Sequence, residues 1–219
     1  MQASAKDAVP IDRCSGPPGI RLPCSLKRRH RIRTTWCNSW GQVFAQRDPP
    51  VIASGVTFVL IRSCRFAPRQ KLRASRSCRS GETAEMIGVL LAEDSASAVP
   101  PGMDCWSAKF NPMFDILGQL DAAYRSDRSV KAGESLHLFL PGVAERFAGQ
   151  GIAQRLVAEC VANGAHEGYR VAVTEATNRT SQHVFRKQAL VERVKRSYRD
   201  YRFERQAVSA SIAKQGGPR

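Results

Sequence analysis

Acidic residues are scarce in the first part of this chain, long apolar runs are missing from all of it, and its cysteines form no paired motif. Of the 19 Asp and Glu residues among 219, only three lie within residues 1–80, against 16 of the 34 Lys and Arg. The formal net charge of +15 is therefore concentrated at one end. The longest apolar run, Val51 to Ile61, is far short of the roughly 20 residues that cross a bilayer, so no membrane partner is expected. The opening Met-Gln-Ala-Ser-Ala-Lys-Asp is followed by no hydrophobic stretch of the kind a secretory signal needs. Seven cysteines without a single Cys-x-x-Cys argue against a disulfide scaffold or a zinc ribbon. A cytoplasmic protein with no metal is the expectation.

What residues 1–80 do contain is arginine: thirteen of their sixteen basic residues, mixed with Ser, Cys and Pro. The run Lys27-Arg28-Arg29-His30-Arg31-Ile32-Arg33, followed by Trp36 and Trp40, could neutralise phosphates and stack on bases. No nucleic-acid motif accompanies it, and a solvated basic tail explains it better. Only Val56–Ile61 resembles a strand. Such a composition also results when a GC-rich gene is read out of frame. The segment is expected to be irregular and distinct from a domain over 81–213, with 214–219 as a tail.

From Glu85 the pattern becomes regular. Met86–Leu91 reads as a buried strand, Pro100-Pro101-Gly102 as a loop, and Asn111-Pro112 as a helix start with Asn as cap. Met113, Leu117, Leu120 and Tyr124 recur at helical spacing, which core packing explains. Leu136–Leu140 is a second strand. Ala153, Leu156, Val157, Cys160 and Val161 then mark an amphipathic helix stopped by Asn163-Gly164, with Cys160 as inert packing. Tyr169, Val171 and Val173 alternate as a third strand, and Thr177–Ser181 holds several possible helix caps. Leu190–Tyr198 and Tyr201–Ile212 read as a strand pair. This order makes an α/β or α+β sheet with helices packed on it.

The informative segment is Phe147-Ala148-Gly149-Gln150-Gly151-Ile152-Ala153, between a strand and a helix. Glycines there let backbone N–H groups converge on a phosphate, and the helix dipole adds attraction. The chain has no Gly-x-x-x-x-Gly-Lys-Ser/Thr, and Gln154 stands where a dinucleotide fingerprint needs its third glycine.

Leu136–Ala153, followed by Thr174-Glu175-Ala176-Thr177-Asn178 and Ser181–Lys187, resembles the GNAT superfamily of acyl-CoA-dependent N-acyltransferases, over roughly residues 85–213. That family's loop is Gln/Arg-x-x-Gly-x-Gly/Ala. The register Ala148-Gly149-Gln150-Gly151-Ile152-Ala153 departs at its first position but starts the helix in the right place. Arg146–Gly151 matches every letter but would start the helix too early. The resemblance implies a mixed central sheet with flanking helices and an acetyl-CoA donor. It also implies a primary amine acceptor on a small molecule or peptide, attacked directly. Leu140, Gly142 and Val143 would meet the pantetheine and thioester. Ala148, Gly149, Gln150, Gly151, Ile152 and Ala153 would cradle the pyrophosphate, and Asn178 and Phe185 would complete the cofactor site.

Two departures stand out. Phe185 occupies the position where the family often has a proton-donating Tyr, and Ala189-Leu190 replaces its Gly-Phe. Ser181 or water must then protonate the leaving thiolate, or nothing need do so. These departures also suit a non-catalytic acyl-CoA-binding protein. Pro141 removes one N–H from the strand the pantetheine would read. His137 is the candidate base, on that strand and on the same face as Phe139. Glu175 is a second candidate, or else a carboxylate that bonds the turn at Asn178. His166, His183 and Glu145 read as surface residues.

Overall fold

The computed structural model describes residues 20–21, 76–80, 86–97 and 108–207. Five strands form one sheet in chain order: β1 (Ile20–Arg21), β2 (Arg76–Ser80), β3 (Met86–Asp94), β4 (Ser135–Val143) and β5 (Val171–Val173). Helix α1 (Asn111–Arg125) links β3 to β4, α2 (Ile152–His166) links β4 to β5, and α3 (Arg179–Lys187) follows β5. Neighbouring strands are antiparallel except β4 and β5, which are parallel because α2 returns the chain between them. The expected mixed sheet with flanking helices is what the chain forms.

The core lies between the sheet and two helices. Ile152, Leu156, Val157 and Cys160 of α2, with Val184 and Phe185 of α3, cover Leu90, Ala92, Leu136 and Leu138. Strand β3 can approach α2 closely because residue 88 is glycine: a Cβ there would lie 3.0 Å from both Ile152 and Leu156. Cys160 is inert packing, since burial pushes its thiol up to about 12.

Several boundaries differ from the sequence pattern. Asn163-Gly164 does not stop α2, which runs on to His166. Gly164 serves packing instead, because a Cβ there would sit 2.5 Å from Leu136 Cδ2. Asn111 is the first residue of α1 rather than its cap, and Phe110 holds the cap position with no side-chain bond. The buried residues of α1 are Met113 and Ile116, whereas Leu117, Leu120 and Tyr124 line a cavity. Arg76–Ser80 lies before the expected domain boundary at 80, yet it is a strand of the sheet with Ser77 and Cys78 buried.

The strand pair expected over 190–198 and 201–212 is not formed among the described residues, which end at 207. Val191, Glu192 and Arg193 are all exposed, so no buried face fixes a register. Side-chain bonds hold this segment instead: Tyr198 donates to Thr177 O at 2.7 Å, and Tyr201 to Pro112 O at 2.6 Å and Asp115 Oδ2 at 2.9 Å. Val56–Ile61, the basic run Lys27–Arg33 and the Pro100–Gly102 loop lie outside the described residues.

These contacts separate two helical glycines. Gly164→Val should lower unfolding free energy by about 1–3 kcal/mol through overpacking against Leu136. Gly118 of α1 is exposed with nothing near a built Cβ, so Gly118→Ala should stabilise by about 0.4–1 kcal/mol. Urea unfolding of the two variants measures both signs.

Candidate active site

Strands β4 and β5 pair over three positions only: Ser135 with Val171, Leu136 with Ala172 and His137 with Val173. There β5 ends, while β4 continues to Val143. On its other edge β4 carries a bulge: Val89 faces Gly142 but Leu91 faces Phe139, so Leu140 and Pro141 together oppose Leu90. A bulge is one of the few places inside a sheet that admits proline, which has no N–H for the ladder. The bulge bends β4, and among the described residues no strand covers its β5-side edge beyond His137. Ala144 N–H donates to Ile87 O at 2.9 Å, so by strand alternation the Val143 N–H faces the opposite, open edge. Gly142 and Leu140 share this stretch.

Beyond Val143 the chain turns through Glu145–Phe147 and reaches two glycines in the left-handed region, Gly149 at φ +77° and Gly151 at φ +72°. Helix α2 begins immediately after, at Ile152, which is the register of Ala148–Ala153. No side chain caps this end, and the first helical bond is from Arg155 N–H to Gly151 O at 3.1 Å. A Cβ on Gly149 or Gly151 would meet nothing within 4 Å. The first-turn N–H groups of Ile152, Ala153 and Gln154 are thus offered at an open surface, where the helix dipole favours an anion. These residues fit a pyrophosphate.

Helix α3 contrasts with α2. Asn178 accepts from Ser181 N–H at 2.8 Å, and Ser181 Oγ accepts from Asn178 N–H at 3.2 Å while donating to Asn178 O at 2.9 Å. The Ser181 hydroxyl proton expected to serve as an acid is thereby engaged in the cap. Phe185 is buried in the core and also lines the cavity.

One face of the sheet carries a row of charge. Glu93 on β3 stands opposite His137 on β4, and His137 opposite Val173, two residues before Glu175. His137 Nε2 lies 2.7 Å from Glu175 Oε2, and Nδ1 lies 3.7 Å from Glu93 Oε1. The imidazole also stacks on Phe139, with ring centroids 5.3 Å apart. Burial alone would favour the neutral ring, but the hydrogen bond to Glu175 and the charges of Glu175 and Glu93 outweigh it and raise the His137 pKa from 6.5 to about 9. The resting ring is therefore an imidazolium at pH 7, not the histidine of ordinary basicity that the sequence suggested. Glu175 bonds His137 rather than the Asn178 turn. Sequence reading missed Glu93 because β3 was expected to end at Leu91. The alternation of Leu91 with Glu93 on one face was the available signal.

A cavity of about 490 Å³ lies alongside, walled by Leu117, Leu120 and Tyr124 of α1, by Val171 to Thr177, and by residues 188–198. Val171 and Val191, at 45% and 64% exposure the large apolar side chains most open to solvent among the described residues, both line it. Glu175 is in this wall and His137 is not, so Glu175 stands between the imidazole and the cavity. Among the described residues no cluster of His, Cys, Asp and Glu could hold a metal ion. No described helix is long and apolar enough to cross a membrane.

A family model described as the acetyltransferase (GNAT) family matches residues 78–189, half of the chain. No curated protein sequence matches it. Among solved structures, the C-terminal condensation domain of Ebony, in complex with beta-alanyl-dopamine, is similar with a TM-score of 0.77 at 14% identity, covering 90% of this chain and 95% of that one. Arylalkylamine N-acetyltransferase 2 from Aedes aegypti is similar with a TM-score of 0.68 at 18% identity, covering 84% of this chain and 88% of that one.

Two measurements test this geometry. Gly151→Val forces a β-branched residue to φ +72° beside the open N–H groups and should cost far more coenzyme A affinity than Gln150→Ala. Equal affinities by calorimetry would remove the phosphate loop. A histidine whose pKa rises from 6.5 to about 9 on folding contributes stability that is complete below pH 6.5 and lost as pH climbs through 9. Unfolding free energy should fall across that window, and His137→Gln should flatten the fall.

Proposed function

Because the chain belongs to the GNAT acetyltransferase family, we propose that it transfers an acetyl group from acetyl-CoA to a small primary amine by direct attack. The single observation that carries this reading is the Glu175–His137 pair at 2.7 Å, at the point where β4 and β5 part. Gly149–Ala153 would hold the pyrophosphate, and the open edge of β4 from Leu140 to Val143 would bond the pantetheine arm as a strand does. The Val143 N–H is suited to polarise the thioester carbonyl.

The acceptor enters the cavity as an alkylammonium with a pKa of about 10, and has no lone pair until it loses a proton. Glu175 meets the ammonium, and the proton passes to the neutral form of His137 behind it. From a base of pKa about 9, that transfer is only about one unit uphill, against about 3.5 units for an unperturbed imidazole. The freed nitrogen forms a C–N bond to the acyl carbon, the C–S bond breaks, and the thiolate leaves. The second nitrogen proton is lost to solvent. The apolar part of the cavity wall, formed by Leu117, Leu120, Val171, Val173 and Val191, suits an amine with a hydrophobic body. The neighbouring structures, one named for arylalkylamines and one holding a dopamine derivative, support an aromatic one.

Release of free thiol from acetyl-CoA in the presence of phenylethylamine-type amines tests the reading. Turnover should rise with pH toward a plateau above about 9. His137→Ala should lose about 10²–10⁴-fold in kcat with nearly unchanged coenzyme A affinity, and the deficit should shrink above about pH 10, where the amine is already neutral. Near-native turnover of the variant at pH 7 would leave Glu175 as the base. Binding of coenzyme A with no turnover of any amine would mark a non-catalytic protein.

A further inference from the structure

Resting on that reading, we propose that Glu93 is a positioning residue for the transfer: its carboxylate, 3.7 Å from Nδ1, favours the His137 proton on Nδ1, so that Nε2 is left to take the acceptor's proton through Glu175. The geometry is a row across three adjacent strands. The β3–β4 register sets Glu93 directly opposite His137, and the β4–β5 register sets Glu175 just beyond it on the other side. Each ring nitrogen therefore has its own carboxylate, at 2.7 Å for Nε2 and 3.7 Å for Nδ1. The flat stack on Phe139 leaves the ring little freedom to turn away from either.

A neutral imidazole has one N–H, and the group that binds it decides which nitrogen is basic. If Nδ1 carries the proton toward Glu93, the lone pair on Nε2 faces Glu175. If Nε2 carries it, the proton already fills the hydrogen bond to Glu175 and the path from the cavity is closed. Glu93 lies outside the cavity wall. It acts through His137 alone. Its charge has a second effect, because a carboxylate on each side stabilises the imidazolium formed when the proton arrives. The charged groups acting on the ring are these two, Glu93 from β3 and Glu175 from beyond β5. The proton step balances: the ammonium loses one proton, Glu175 passes one on, Nε2 gains one, and the imidazolium returns it to solvent after the product leaves.

Glu93→Gln tests this with little change of shape, since the amide keeps the size of the carboxylate but the charge is gone. His137 in the substrate-free full chain, followed by NMR, should titrate near 9 in the parent and at least about one unit lower in the variant. The rising limb of kcat against pH should move down by the same amount. The plateau should drop about 3- to 10-fold because the base is weaker. The two profiles then cross, which a loss of mere structural support would not produce. Glu93→Asp, which keeps the charge, should keep the limb near the parent's. An unmoved titration in Glu93→Gln overturns the proposal, and so does a moved titration with an unmoved limb. If the parent acetylates no amine, the proposed activity fails, and the proton-relay proposal fails with it, whereas a failed NMR shift with active parent enzyme overturns the Glu93 proposal alone.

Discussion

The pairing of β4 with β5 lasts three residues, and the rest of the site depends on where it stops. A parallel pair needs a crossover, and here the crossover is α2. Such a connection brings the carboxyl end of β4 beside the amino end of α2, and the carboxyl end of β5 beside that of α3. Two helix N-termini thus point at the region where the sheet has opened. They differ in one respect. Asn178 and Ser181 satisfy each other's N–H groups at the start of α3 in a capping box, while the start of α2 follows a left-handed glycine and has no side-chain cap. The uncapped start of α2 is the one that favours an anion, which on the proposed reading gives the gap a direction: phosphate at the glycine loop, chemistry at the row of charge.

That row is costly by itself. Each ion in a partly buried position loses hydration, and a lone buried histidine would be neutral. Two carboxylates on one imidazole reverse the balance and leave the trio with a net negative charge at pH 7. This polarity matches the cationic amine that the proposed activity requires. Glu175 shares the cavity wall with the apolar Leu117, Leu120, Val171 and Val173, with Asp121 and Glu192, and with the basic Arg186, Arg193, Lys195 and Arg196. On the proposed reading, the apolar part of this 490 Å³ cavity would take the body of the amine and Glu175 its charged head.

The periodic parts of the chain were legible as sequence. Leu156, Val157 and Cys160 announced α2, and alternation from Leu136 to Leu140 announced β4, because one-sided burial imposes those periods. Gly164 misled because a glycine near a helix end serves either a stop or a close approach, and only the position of Leu136 across the core distinguishes them. The C-terminal segment misled for the opposite reason. Its apolar residues Leu190, Val191 and Val194 follow no strict alternation that would fix a register, and two tyrosine hydroxyls hold the chain instead. Glycine spacing and His137 were visible one residue at a time. The triad was not, since Glu93, His137 and Glu175 are brought together by two strand registers that no local pattern encodes.

The absence of a tyrosine at position 185 becomes intelligible in these terms. A proton-donating residue there would serve to protonate the departing thiolate, whose pKa is about 8.5. Phe185 instead packs in the core, and Ser181 is engaged in its cap. On the proposed reading the reactive form of the enzyme carries a neutral imidazole, and with a pKa of about 9 that form is most populated in alkaline solution. In the same range a thiolate is the stable form of the leaving group and needs no acid. The two carboxylates that strengthen the base therefore also move the reaction to conditions where the missing donor costs little. The departure at 185 and the charge row at 93, 137 and 175 are two sides of one arrangement.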